Sequence, residues 1–199
     1  VGVGREDGKT AGEYAPIFFK QAKYTLLDQN TFWLCEKPDS VGMVGWDAAL
    51  TRIATWVKLQ DKKTGQILMV VNTHFDHIGT EARRNSALLI IEKIKEIVGT
   101  SPAILTGDFN VSEDWDAYKT ITNNEFILKD AHKVAGKRTG VDFTYHNFGK
   151  IPAEKCEKID FIFVTPQIRV ISSYIPFSQL NDTLFLSDHN PEIVELEIK

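Results

Sequence analysis

The chain has 199 residues, 43% of them hydrophobic and 25% charged, the balance of a globular protein and enough for a single domain over residues 1–199 with a substantial buried core. Its net charge of −4 supplies no global basic field, which disfavours avid nonspecific binding to a nucleic acid duplex and leaves room only for a local basic groove. No apolar run approaches the ~20 residues that span a bilayer, so no transmembrane segment is expected.

Cys35 and Cys156 lack metal-ligand spacing and are too few for a disulfide framework, so both read as small buried apolar residues and leave the redox compartment open. The chain opens on Val1-Gly2-Val3-Gly4-Arg5 with neither an initiator Met nor a targeting pattern, and reads as the inner part of a longer protein. Export and cytoplasmic residence are not distinguished.

In chain order, Tyr14 to Lys20 is an apolar run that predicts a strand. Thr51 to Leu59 alternates and predicts another, and the turn signal Asp61-Lys62-Lys63-Thr64-Gly65 joins it in a hairpin to Ile67–Asn72. Leu68-Met69-Val70-Val71 is apolar on both faces, the pattern of a central strand. Gly79 to Val98 predicts a helix, because Ala87, Ile90, Ile91, Ile94 and Ile97 recur at helical spacing before a Gly99 stop. A short buried strand, Ala103 to Thr106, ends at Gly107-Asp108, and a second helix follows over about Glu113–Thr122. Ala135 to Glu157 reads as a long surface loop around a brief Phe143-Thr144-Tyr145 strand. Ile159–Val164 and Val170–Ile175 read as a strand pair turned at Thr165-Pro166, and Glu192 to Ile198 as a half-exposed strand. Together these elements predict two sheets with helices outside.

Three acidic motifs carry the chemical signal: Gly107-Asp108-Phe109-Asn110, Lys158-Ile159-Asp160-Phe161 and Ser187-Asp188-His189-Asn190. Phosphate esters resist attack because their oxygens are negative, so catalysis needs a cation on those oxygens and a group that orients water. Asp108, Asn110 and Asp188 offer the oxygen ligands that hard cations prefer. His74 and His189 offer imidazoles for phosphoryl contacts or proton transfer, with Glu13 and Asp160 as candidate partners. Taken singly, Asp108 reads equally as a helix cap and Asp188 as an Asx turn before Pro191. Asp160, set among Ile159, Phe161, Ile162 and Phe163, is costly unless paired. His77 reads as a surface or capping residue, and His132 and His146 carry no signal.

These residues resemble the endonuclease/exonuclease/phosphatase superfamily, which includes pancreatic deoxyribonuclease, abasic-site endonucleases, inositol polyphosphate phosphatases, bacterial sphingomyelinases and deadenylases. The resemblance runs through Gly12-Glu13-Tyr14, Val71-Asn72-Thr73-His74 and the three motifs. It implies a four-layer α/β sandwich of two mixed β-sheets flanked by helices. It also implies Mg²⁺- or Mn²⁺-dependent hydrolysis of a phosphodiester, in a nuclease that is exoribonuclease-like. The alternatives are a phosphatase for sugar or lipid phosphates and an inactive phosphate-binding member.

By the same resemblance Asp108 orients or deprotonates water and binds metal, Asp188 is a metal ligand, and Asn110 binds phosphate or metal. His189 contacts the scissile phosphate with Asp160 as its partner. His74 is the second phosphate-contacting His, Glu13 pairs with it, and Arg52 is a further phosphate contact, with an exposed strand Arg as the equal alternative. The family's first strand, ending in Asn, and a following Glu that hold the principal metal are not identifiable, and the fold is expected to be N-terminally incomplete. Trp33 and Trp46 are candidates for a substrate pocket, with core packing the better reading of Trp33, and Ala135–Glu157 is a candidate rim. The expected partner is a phosphorylated small molecule or a single-stranded nucleic acid, met by a monomer.

Overall fold

The computed structural model describes residues 1–123, 128–181 and 184–198. The strands are β1 (Tyr24–Trp33), β2 (Ile53–Asp61), β3 (Ile67–His74), β4 (Ala103–Asp108), β5 (Lys129–Asp130), β6 (Lys137–Gly140), β7 (Asp160–Val164), β8 (Ile168–Ile175), β9 (Gln179–Asn181), β10 (Leu184–Phe185) and β11 (Ile193–Ile198). The helices are α1 (Thr80–Val98), α2 (Asp116–Thr122) and the single turn α3 (Ala131–Val134).

Two mixed sheets are stacked. The larger has six strands in the order β1-β2-β3-β4-β7-β5, the smaller three in the order β11-β8-β6, and β9 and β10 form a separate ribbon. One face of the large sheet is covered by α1 and α2, with Ile90, Ile94 and Ile121 packed on Val71, Leu105 and Phe163. Its other face meets the small sheet through Leu68, Ile104 and Val164 against Ile168 and Val170. Helix α1 forms because its apolar positions recur on one stripe. Its N-cap, Gly79, has no side chain to cap with. Asp47 from a distant loop supplies the acceptors instead, taking the Glu81 and Ala82 N–H groups at 3.2 and 2.6 Å.

The predicted hairpin exists as the antiparallel β2–β3 pair, and β3 is interior to the sheet as its two-sided apolar pattern requires. Other expectations need correction. Tyr14 to Lys20 is irregular chain: Pro16 has no N–H to give a ladder, and Phe18 is exposed. The strand next to β2 is β1 instead, whose polar, exposed centre Asp28-Gln29-Asn30 hides its alternation. β7 and β8 are not a hairpin pair, because the Thr165–Pro166 turn carries the chain from the large sheet to the small one. Helix α2 begins at Asp116, later than expected, and the 135–157 loop contains β6 and a turn of 3₁₀-helix over Ala153–Lys155. Phe143–Tyr145 makes only isolated bridges, from Tyr145 to Glu157 and to His189.

Candidate active site

A single register aligns the chemistry. His74 pairs with Asp108 across the parallel β3–β4 ladder, and Asp108 pairs with Asp160 across the antiparallel β4–β7 ladder. Three reactive side chains therefore stand in one row at the strand ends. Each is followed by a fully buried phenylalanine, Phe75, Phe109 or Phe161. Phe109 meets the other two edge-on, with ring centroids 4.9 Å from Phe75 and 6.1 Å from Phe161. The alternation of side chains thus sends one residue to the site and the next into the core, which fixes the row from beneath. The strands also approach closely here: a Cβ on Gly107 would lie 2.1 Å from the Thr73 carbonyl oxygen, so only glycine fits.

His189 arrives from the loop before β11 and completes the row. Its Nδ1 lies 2.8 Å from Asp160 Oδ2, and its Nε2 faces Asp108 Oδ2 at 4.0 Å. Tyr145 packs on the ring at a centroid distance of 4.9 Å. On the opposite flank, His74 Nδ1 lies 3.1 Å from Glu13 Oε1 and its Nε2 lies 3.3 Å from Asp108 Oδ2. Both expected imidazole–carboxylate pairs are present. Asp108 Oδ1 accepts the Asn110 N–H at 2.9 Å, in a turn that holds Asn110 at φ 50°, and the Asn110 amide donates to the Phe75 carbonyl at 3.0 Å. Asp108 therefore closes its own loop and caps no helix; the N-cap of α2 is Trp115.

Arg52 is buried rather than an exposed strand residue, at 4% accessibility. Its Nε contacts Asp76 at 3.5 Å and its Nη2 lies 3.1 Å from His77 Nδ1. Its Nη1 approaches Glu13 only to 4.0 Å and has no hydrogen-bond partner among the described residues. A buried guanidinium N–H left open beside His74 is a donor held ready for an anion. Asp188 is half-buried, with the Ser187 hydroxyl donating to its carboxylate at 3.3 Å. Its carbonyl accepts N–H groups from His146 and Asn147 at 3.0 and 3.2 Å. That ties the 135–157 loop to the His189 motif, and Asp188 forms no Asx turn with Pro191.

The environment drives the two histidines apart. Burial opposes charge on His189, but the hydrogen bond it donates to Asp160 and the charges of Asp160, Asp108 and Asp188 outweigh it and raise its pKa. Burial and the Arg52 charge hold His74 below the ordinary histidine value against the pull of Glu13. Burial, reinforced by the neighbouring Asp160 charge, pushes the Asp108 carboxyl up to about 6. Asp108, Asp160 and His189 offer ligand atoms all within 4.8 Å of one another, two carboxylates and an imidazole that fit a divalent ion such as Mn²⁺, and the expected ligand Asp188 is not in that group.

The sequence model of the Endonuclease/Exonuclease/phosphatase family matches residues 14–189. The chain belongs to that family. It is similar to an endonuclease/exonuclease/phosphatase structure from Bacteroides vulgatus, at 65% identity and TM-score 0.96, covering 100% of this chain and 76% of that one. It is also similar to the mannosyl-6-phosphatase of Bacteroides thetaiotaomicron, at 37% identity and TM-score 0.92, again over 100% and 76% of the two chains. The uncharacterized protein L388 of Acanthamoeba polyphaga mimivirus is 30% identical over 175 residues, 83% of this chain and 63% of that protein. The chain therefore spans less than two thirds of this viral relative.

Some neighbours of the row were not read as site residues from the sequence. Arg5 binds Glu13 at 2.6 Å, Asp76 anchors Arg52, and Lys158 donates to the Asp160 carbonyl at 2.8 Å while pairing with buried Glu192 at 2.9 Å. His77 is exposed, in keeping with its surface reading, and meets Arg52 rather than capping α1. Trp33 is core, with its indole N–H on the Arg5 carbonyl at 2.7 Å, and Trp46 packs partly buried on the α1 side. Neither lies in the row. Cys35 is buried, whereas Cys156 is half-buried.

Proposed function

We propose that this chain hydrolyses phosphate esters by metal-assisted attack of water, and that its substrate is a hexose phosphate monoester. The observation that carries the chemistry is the His74–Asp108–Asp160 row closed by His189. Asp108 is placed to orient water and accept its proton, at a position its neighbours protect from bulk solvent. His189, oriented by Asp160, donates to a phosphoryl oxygen as charge builds there. His74 and the open Nη1 of Arg52 contact the remaining phosphoryl oxygens, and Asn110 holds the Asp108 loop in place. Asp108 and Asp160 would hold Mg²⁺ or Mn²⁺. When bound, that ion neutralises the phosphoryl oxygens and lowers the pKa of water.

The sugar assignment rests on the mannosyl-6-phosphatase relative and on the acidic net charge, which suits a small substrate better than a polyanion. The nuclease reading has no comparable support. Hydrolysis of mannose 6-phosphate and glucose 6-phosphate (read as inorganic phosphate), of a bis-aryl phosphate (read as the phenol) and of single-stranded RNA (read as shortened chains and nucleotides), each with Mg²⁺, with Mn²⁺ and with chelator, tests the proposal. Metal-dependent release from a hexose phosphate well above the diesters is expected; preference for RNA would overturn the substrate assignment.

A further inference from the structure

A cavity of about 320 Å³ opens between the starts of α1 and α2. It adjoins the site through two backbone segments. Val111, which lines it, follows Asn110, and Arg83 Nη1 donates to the carbonyl of Asp76 at 3.0 Å, one residue beyond the Phe75 carbonyl that holds Asn110. Arg83 is 4% exposed. It reaches Thr80 Oγ1 only at 3.5 Å, and its Nε–H has no partner among the described residues. A buried guanidinium left short of acceptors is costly unless a ligand supplies one. Its Cζ lies over the Trp115 ring, 4.8 Å from the centroid, a cation–π contact that holds the indole while 44% of Trp115 stays exposed.

We infer that the Trp115–Arg83 cavity is a carbohydrate subsite in which a pyranose ring lies on Trp115 and its hydroxyls bond to Arg83 and the flanking carboxylates. The inference rests on the sugar-phosphate reading above and locates the sugar. The lining gives three carboxylates, Glu81, Asp114 and Asp116, against two guanidiniums, Arg83 and Arg84. Vicinal hydroxyls each donate and accept, so they match such an alternation of acceptors and donors. A phosphodiester backbone would meet an excess of negative charge there. Asp114 and Trp115 precede α2, and the Lys119 Nζ donates to the Asp114 carbonyl at 2.5 Å, so the platform is tied to a helix.

The test compares Trp115→Ala and Trp115→Phe with the parent chain on mannose 6-phosphate and on glycerol 3-phosphate, which has no ring. Trp115→Ala is expected to raise KM for mannose 6-phosphate about tenfold with kcat within about twofold, and to leave glycerol 3-phosphate kinetics unchanged. Trp115→Phe should restore most of the loss. Binding of uncharged methyl mannoside, followed by calorimetry, should disappear in Trp115→Ala. Equal losses on both substrates, or no loss on either, would overturn the subsite, as would a single-stranded oligonucleotide that displaces the mannoside through Trp115. Trp115-dependent mannoside binding without hydrolysis of any sugar phosphate would sink the phosphatase reading and leave the subsite standing.

Discussion

The two imidazole–carboxylate pairs that flank Asp108 use the same residue types yet are built differently. Asp160 is the first residue of β7, held by backbone N–H bonds at its own position and at Ile159 to Thr144 Oγ1, both 3.0 Å, and by Lys158 on its carbonyl. Its carboxylate serves His189 at 2.8 Å. Glu13 hangs from irregular chain, is half exposed, and divides its two oxygens between His74 and Arg5. The result is a His189 pushed toward the cation and a His74 held toward the neutral ring. A carboxylate raises a histidine pKa only where burial and neighbouring cations do not outweigh it.

The largest effect should come from the rigid pair. Asp160→Asn keeps the shape but removes the charge that orients and supports His189, and kcat on a hexose phosphate should fall about a thousandfold with KM little changed. Steady-state kinetics read this directly. On the other flank, Asp76→Ala leaves Arg52 buried without its carboxylate, and urea denaturation should show a loss of about 3 kcal/mol.

Asp76 also sets a pH dependence. Burial alone would raise its pKa, but N–H donors from Gly79, Ile78 and Leu50 hold it well below the ordinary aspartate value. A depressed folded pKa gives stability that is present above the unfolded value, about 3.9, and lost as pH falls toward the folded one. Unfolding free energy should therefore drop more steeply below about pH 4 in the parent than in Asp76→Asn; identical slopes would contradict this. The smallest effect is expected from Glu13→Gln, about tenfold or less in kcat/KM. A Glu13→Gln loss as deep as that of Asp160→Asn would erase the asymmetry between the pairs.

Helix α1, the β2–β3 hairpin and β4 were legible because their apolar periodicities are local and uninterrupted. The run Tyr14–Lys20 misled because apolar content outweighed the meaning of Pro16, and β1 was missed because its exposed polar centre breaks the alternation. The assignment of β7 and β8 to different sheets was not legible, since a Thr-Pro turn serves a hairpin or a crossing equally well. At the site, Asp108, Asp160 and His189 were legible as strand-end motifs. Arg5, Asp76 and Tyr145 were not, because each acts through a partner or a ring that only folding brings near. The Trp115–Arg83 stack joins residues from two helix starts and has no sequence signature either.

The central claim is that Asp108 and its row hydrolyse a sugar phosphate, and its direct test is phosphate release from mannose 6-phosphate by the parent chain and by Asp108→Asn with Mg²⁺ present. Clear turnover by the parent and a loss of about a thousandfold or more in the variant are expected, with circular dichroism unchanged. Equal turnover by both proteins would contradict it.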